Sequence, residues 1–216
     1  MPSLVYEQGG IGSCTANALC AAVAFASRPS RQAFEPSRLF LYYAERARNG
    51  EAALDAGATF ADGLAALSSV GVCGEARWPY VEDNYDLAPP GGAYEEAAAH
   101  RYLGHEVTLD LQEVKRLLAA GYPVAIGLEI TEAIESDAVA RGECLRYSGP
   151  ESDATIGGHA MCAVGYDEAL QHLIVRNSWG PDWSQGGHCH ISYEYLEHYL
   201  CECAVVTRSA SDPDVT

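Results

Sequence analysis

The segment that most constrains this chain is a glycine-rich turn that runs directly into a cysteine and an alanine-rich stretch. Residues 9–14 read Gly-Gly-Ile-Gly-Ser-Cys, and the alanines over 16–26 favour helix strongly. We therefore predict a helix over Cys14–Ala26 with Ser13 as its N-cap. The positive end of a helix stabilises a thiolate, so Cys14 is a candidate nucleophile. The alternative is a small buried hydrophobic residue, the ordinary fate of a free cysteine.

The first half of the chain is predicted to be mainly helical. Further helices are expected at Arg38–Arg48 and Thr59–Val70, and a later one at Leu111–Ala120. The prolines and glycines of Leu87–Gly92 predict a break in regular structure. Helix thus dominates up to about residue 90.

The second half turns towards strand. Five short β-rich runs are separated by turn residues: Pro123–Ile130, His159–Tyr166, Leu173–Asn177, His188–Ser192 and Ala204–Arg208. A helical half followed by a strand half indicates an α+β protein with two lobes that divide near residues 90–110. A cleft between two lobes is a common substrate site.

Two polar residues occur beside apolar runs in this second half. His159 follows two glycines and opens the run 160–166, whereas Asn177 ends the run 173–175 and continues as Asn-Ser-Trp-Gly. Gln8 stands six residues before Cys14. A cysteine nucleophile needs a base, and the base needs a third group to orient it. Cys14, His159 and Asn177 supply these residue types.

These motifs resemble a known family. The segments 8–14, 158–160 and 177–180 are similar, in order, to the three active-site segments of papain-like cysteine peptidases, the family of papain and the cathepsins. Segments 37–43, 55–63, 71–73, 78–80 and 121–124 resemble a compact bacterial-type branch of it. The resemblance implies a papain-like two-lobed α+β fold. An N-terminal helical lobe (about 8–100) and a C-terminal antiparallel β-barrel-like lobe (about 101–208) would flank the active-site cleft. Residues 1–216 would form one catalytic domain with a tail at 209–216.

The resemblance also implies a role for each matching residue. Cys14 would attack the peptide carbonyl and form a thioester, with His159 as its base and Asn177 orienting the imidazole. The Gln8 amide and the Cys14 backbone N–H would form the oxyanion hole. The residues implied to contact substrate are Gly12, Ser13, Gly57, Gly158 and Trp179. Trp179 would also cover the contact between Asn177 and His159. No cofactor and no metal is implied.

Two positions depart from the better-known relatives. Thr15 follows the nucleophile where those relatives carry Trp or Tyr, and Ile11 stands where they have a disulfide cysteine. That bridge is therefore expected to be absent. The spacing of the eight cysteines does not resemble a dense secreted framework, so we expect few or no disulfides.

Composition limits the partners. The 13 basic and 30 acidic residues give a net charge of −17, which repels nucleic acid. The acidity indicates solubility, or alternatively a preference for basic substrates. No apolar run is long enough for a membrane span, and no signal peptide is visible. We expect a monomer, cytoplasmic or secreted after removal of an upstream segment. Its cleft would take a protein or peptide substrate, a propeptide or an inhibitor.

Three alternatives stay open at this level. The same thioester could serve acyl transfer, as in a peptide ligase or cyclase, and a catalytically silent binding domain is a third class. His188 and His190 lie two residues apart in one predicted strand, and Cys201 and Cys203 are spaced in the same way. If the two strands were adjacent, these four side chains could form a zinc site. The simpler interpretation is ordinary strand packing.

Overall fold

The computed structural model describes residues 5–27, 34–149 and 154–208. Seven described helices are α1 Cys14–Ala26, α2 Arg38–Ala47, α3 Phe60–Ser69, α4 Gly91–Ala97, α5 Leu111–Ala119, α6 Asp137–Ala140 and α7 Tyr193–Tyr199. Six described strands are β1 Tyr102–Glu106, β2 Val124–Thr131, β3 Thr155–Asp167, β4 His172–Arg176, β5 His188–Ser192 and β6 Leu200–Arg208. Short 3-10 turns cover Glu82–Asn84 and Glu132–Glu135. The tail 209–216 of the sequence prediction lies outside the described residues.

Helices α2, α3 and α5 start where short polar side chains cap them. Ser37 Oγ accepts the Phe40 N–H at the start of α2, and Asp110 accepts the Gln112 N–H at the start of α5. The predicted helices are confirmed, with ends that differ by at most one residue from the structure. The predicted break at Leu87–Gly92 is only partly right, because α4 begins inside it at Gly91 after the N-cap Pro90.

All pairing between neighbouring strands is antiparallel, in the order β1-β6-β2-β3-β4-β5. The five predicted strands are confirmed, and β1 is an addition. The predicted barrel-like lobe is not a closed barrel, because the described strands form an open sheet with β1 and β5 at its edges.

Alternating side chains of the central strands enter two separate cores. Ala160 and Cys162 of β3 face the first core, which they share with α1, α2 and α3. Met161 and Ala163 face the second core, on the side of α5 and α7. This period of two is the expected signature of a strand buried on both faces. Through the first core, β3 packs against α1. This packing brings the motif around His159 on β3 close to Cys14 at the start of α1.

Candidate active site

The candidate nucleophile lies at the first residue of α1. Ser13 occupies the N-cap, but its side chain makes no capping hydrogen bond. Its hydroxyl instead lies 2.6 Å from the Tyr80 hydroxyl and 3.0 Å from Asn17 Nδ2, which donates to it. Ser13 is thus the predicted N-cap residue without a side-chain capping bond, and its side chain is fully buried and does not line the cleft described below.

A cleft of about 510 Å³ runs past Cys14. Its helical wall consists of Gly12, Cys14, Thr15 and residues 55–58, and its strand wall of residues 127–129, 158–160, Cys201 and Glu202. The structure thus brings Cys14 and His159 to one cleft, together with Gly12, Gly57 and Gly158.

His159 and Asn177 are joined directly. His159 Nε2 lies 2.8 Å from Asn177 Oδ1, and both side chains are buried. An amide oxygen only accepts hydrogen bonds, so Nε2 carries the proton and Nδ1 keeps its lone pair. The backbone N–H of Ser178 also donates to Asn177 Oδ1 at 2.8 Å, which fixes the amide with its oxygen towards the ring. Asn177 therefore sets the tautomer that a base requires.

Cys14 is tied to the strand that carries His159. Burial raises the pKa of the Cys14 thiol above its usual value. The backbone N–H of Ala160, the residue after His159, has the largest opposing effect and lowers that pKa. Burial likewise lowers the pKa of His159, partly offset by the bond to Asn177. The net effect is a raised thiol pKa, because desolvation outweighs the stabilising N–H groups.

Gln8 is held beside the nucleophile by residues 178–180. Its backbone N–H donates to Ser178 O at 2.8 Å, and Ser178 Oγ donates to Gln8 Oε1 at 2.6 Å. Gln8 Nε2 donates one proton to Ile11 O at 3.1 Å. An amide nitrogen carries two protons, so this bond uses only one of the two N–H groups, although Gln8 itself is buried and does not line the cleft.

Trp179 covers the imidazole. Its ring stacks on that of His159 with centroids 5.0 Å apart and planes inclined by 27°. Trp183 in turn packs edge-on against Trp179 at 5.1 Å. Trp179 therefore shields the imidazole, and it is not among the residues that line the cleft described above.

The sequence prediction missed the charge of the cleft. Three carboxylate side chains line it: Asp55, Glu129 and Glu202. Asp55 begins the segment 55–63 that carries the family resemblance, but the sequence does not show that the three carboxylates share one cleft, because this depends on how the two walls meet. The zinc alternative fails on topology, since β5 with His188 and His190 is separated by three strands from β6 with Cys201 and Cys203.

The papain family cysteine protease model matches residues 4–210. An uncharacterised peptidase-like protein of Acanthamoeba polyphaga mimivirus is 35% identical over 96% of this chain and 70% of its own length. The chain belongs to the papain family of cysteine proteases. Xylellain, a cysteine protease from Xylella fastidiosa, superposes with a TM-score of 0.88 and 32% identity over 97% of this chain and 84% of that chain.

Membership of the papain family settles the class of chemistry: the protein is a cysteine peptidase, a hydrolase. A cysteine protease of Carica candamarcensis, solved in complex with E-64, shares the papain fold with a TM-score of 0.69. It is 22% identical over 95% of this chain and 92% of that chain. The family does not favour ligation or a silent binding domain. Each of the eight cysteines, all among the described residues, is a free thiol. None of the described helices combines the length and apolar character that a membrane crossing requires.

Proposed function

We propose that this papain-family peptidase hydrolyses peptide bonds with Cys14 as nucleophile, His159 as acid and base, and Asn177 as the residue that orients the imidazole. His159 Nδ1 takes the thiol proton as Cys14 Sγ attacks the scissile carbonyl carbon. The carbonyl oxygen becomes an oxyanion, which accepts hydrogen bonds from the Cys14 backbone N–H and Gln8 Nε2.

The C–N bond then breaks while the imidazolium returns its proton to the leaving amine, which leaves a thioester on Cys14. Water attacks the thioester after losing a proton to His159, and the acid product departs with the thiol restored. The 2.8 Å contact between His159 Nε2 and Asn177 Oδ1, on the wall opposite Cys14, is the observation that supports this proposal most.

The first experiment removes the nucleophile. Cys14→Ala should abolish peptide cleavage while leaving the thermal unfolding midpoint within a few degrees of the wild type, because a half-buried thiol contributes little packing. E-64, the inhibitor in the Carica complex, should add one equivalent to the wild type at Cys14.

Cys201 provides the matched control, because this exposed thiol lines the same cleft. Peptide mapping of Cys201→Ser should still place one E-64 label on Cys14. Cleavage by Cys14→Ala at the wild-type rate, or an E-64 label on Cys201, would refute the assignment.

For the substrate class, we propose proteins or peptides that present a basic side chain to the cleft. The charged side chains that line the cleft are the carboxylates of Asp55, Glu129 and Glu202. Glu202 is half-buried. The backbone N–H of Phe60 donates to Glu202 Oε2 at the long distance of 3.5 Å, so most of the acceptor capacity of this carboxylate remains for a ligand. A propeptide or inhibitor segment would occupy the same cleft.

Paired peptide substrates test this preference. A peptide with arginine should be cleaved with a kcat/KM about tenfold above that of the citrulline peptide, which has nearly the same shape without the charge. Glu202→Gln should reduce this ratio to near one. An unchanged ratio in Glu202→Gln would contradict the role of Glu202, and equal rates for the two peptides in the wild type would contradict the preference.

A further inference from the structure

The loop that leads into the nucleophile contains three glycines and so has little conformational preference of its own. We call residues 8–13 the oxyanion loop, because it joins the two proposed oxyanion donors, Gln8 Nε2 and the backbone N–H of Cys14. Gly9 adopts a left-handed φ of +63°, a conformation that side chains rarely tolerate. Contacts from outside the loop must therefore hold it in one shape.

One of these contacts comes from a cleft carboxylate. The backbone N–H of Gly12 donates to Asp55 Oδ1 at 2.9 Å, and the Tyr42 hydroxyl donates to the same oxygen. Tyr42 lies in α2 and is fully buried in the first core, and the Gly57 N–H donates to its hydroxyl at 3.3 Å. A hydrogen-bonded path thus runs from Gly12 through Asp55 to a rigid part of the molecule.

Gly12 packs closely against Asp55, Tyr42 and Gly57. A Cβ added there would lie 3.3 Å from Asp55 Oδ1, 3.4 Å from the Tyr42 hydroxyl and 3.4 Å from the Gly57 nitrogen. Such distances are shorter than most real Cβ contacts, so a side chain at position 12 would push against Asp55 or Tyr42, and glycine permits this close approach. A displacement of Asp55 is consequently transmitted to Gly12.

Two further side chains contact the loop: Glu82 at a point farther from Cys14, and Tyr80 both there and at Ser13, where the two hydroxyls lie 2.6 Å apart. The backbone N–H of Gly10 donates to Glu82 Oε2 at 2.8 Å, and the Tyr80 hydroxyl donates to Gln8 O at 2.7 Å. Glu82 is exposed and does not line the cleft. Asp55 differs from Glu82 in two ways: it binds the N–H nearest to Cys14, and it is anchored on a buried hydroxyl.

The geometry points to Asp55 as a positioning residue for the reaction: it fixes the oxyanion loop so that the Cys14 N–H and Gln8 Nε2 converge on one oxygen. This inference rests on the proposed function. Oxyanion donors act only within a narrow range of about 2.7–3.1 Å, so a small shift of the loop removes much of their effect. Asp55 acts through the loop and need not touch the reacting atoms.

Two reagents separate positioning from general damage. A peptide aldehyde with a neutral side chain forms a bond between Cys14 Sγ and its carbonyl carbon, and the oxygen of the adduct occupies the oxyanion site. Iodoacetamide alkylates the same sulfur by displacing iodide and creates no oxyanion. Loss of the hydrogen bond from Gly12 to Asp55 should therefore weaken aldehyde binding and leave the rate of alkylation largely unchanged.

Asp55→Ala should raise the aldehyde Ki and lower kcat by about 10- to 100-fold, with KM and the alkylation rate changed less than threefold. Asp55→Asn retains an oxygen that can accept from Gly12 and Tyr42, so it should recover most of the loss. Glu82→Ala is the matched control, with an aldehyde Ki within about threefold of the wild type. Tyr42→Phe, which removes only the anchoring hydroxyl, should give the Asp55→Ala pattern at smaller amplitude.

The inference is overturned if Asp55→Ala changes the aldehyde Ki no more than Glu82→Ala does, or if alkylation falls in parallel with aldehyde binding. Should Asp55→Ala fail to fold, an unchanged aldehyde Ki in Tyr42→Phe overturns it equally. Failure of the proposed function has a different signature, because wild-type Cys14 would then resist both reagents. The neutral aldehyde makes the result independent of any preference for basic side chains.

Discussion

The two halves of the active site are held in place by different means. His159 lies on β3, which is hydrogen-bonded on one side to β2 and on the other to β4. Cys14 follows the oxyanion loop, whose shape depends on side chains such as Asp55 and Tyr80. A sheet ladder distributes its restraint over many backbone groups, whereas the loop depends on a few contacts. Substitutions outside the catalytic residues should therefore affect the nucleophile side more than the imidazole side.

The strongest perturbation removes the base. His159→Ala should lower kcat/KM by about 10³- to 10⁴-fold, because no other group at the site can take the thiol proton. Without the imidazole to accept its proton, Cys14 in this variant should be alkylated slowly at pH 7, and the rate should rise steeply at alkaline pH because burial raises the thiol pKa. Iodoacetamide kinetics across pH provide the measurement. His105→Ala, on an exposed position of β1, is the control, and a wild-type pH profile in His159→Ala would contradict the pairing.

Loss of the orienting amide should be the next largest effect. Asn177→Ala removes the acceptor that selects the Nε2-protonated tautomer, so kcat should fall about 100-fold with little change in KM. Steady-state kinetics separate the two constants. A loss of kcat below threefold would show that the sheet alone orients His159. The imidazole side would then tolerate substitution even better than the contrast between sheet and loop predicts.

Removal of the Trp179 ring that covers the His159 imidazole should reduce kcat less than the loss of Asn177 does. Trp179→Ala opens the stacked face of His159 to water and should lower kcat about tenfold, because a wetter site weakens the hydrogen bond between His159 and Asn177. Trp179→Phe keeps an aromatic ring and should lose less. The ratio of kcat values for the two variants is the measurement, and equal losses would show that shielding by a ring is not the cause.

The smallest effect concerns stability on the nucleophile side. Glu45 of α2 is fully buried behind Thr15, whose hydroxyl donates to Glu45 Oε2 at 3.0 Å. Burial raises the pKa of Glu45 from 4.5 to about 8, with a further rise from Asp62 and opposing contributions from the Thr15 hydroxyl and Arg46. Between these values the folded state holds a proton that the unfolded chain has lost. Stability should therefore fall as pH rises from about 4.5 to about 8, by up to about 1.4 kcal/mol per pH unit from this group.

Urea unfolding at pH 5 and pH 8 measures that slope. Glu45→Gln cannot ionise and should flatten it, whereas Glu51→Gln, at an exposed position, should leave it unchanged. A slope in Glu45→Gln equal to that of the wild type would show that Glu45 is ionised in the folded state.

The sequence predicts best what local chemistry determines. The run of alanines after Cys14 sets both ends of α1, and the alternation of β3 follows from burial on both faces. Short elements escape prediction because packing decides them: α4 has seven residues and begins with two glycines, and α7 fits between two strands. The order of β5 and β6 in the sheet is likewise a property of the whole fold.

The same division applies to the site. The motifs around His159 and Asn177 identify the residues that meet, since the family order and the residue types leave few other pairings. They do not reveal Asp55 or Glu202, which reach the cleft only because 55–58 and 201–202 fold back to line it. Nor do they reveal the raised pKa of Cys14, because desolvation is produced by residues far apart in sequence.

The central claim is that Cys14 carries the acyl group during turnover. Rapid quenching of the enzyme with an activated ester of a short peptide, followed by digestion and mass spectrometry, tests it directly. The account predicts one acyl adduct on the peptide that contains Cys14, absent in Cys14→Ala and persistent in Asn177→Ala. An adduct on the Cys201 peptide, or cleavage without any adduct on a thiol, would contradict it.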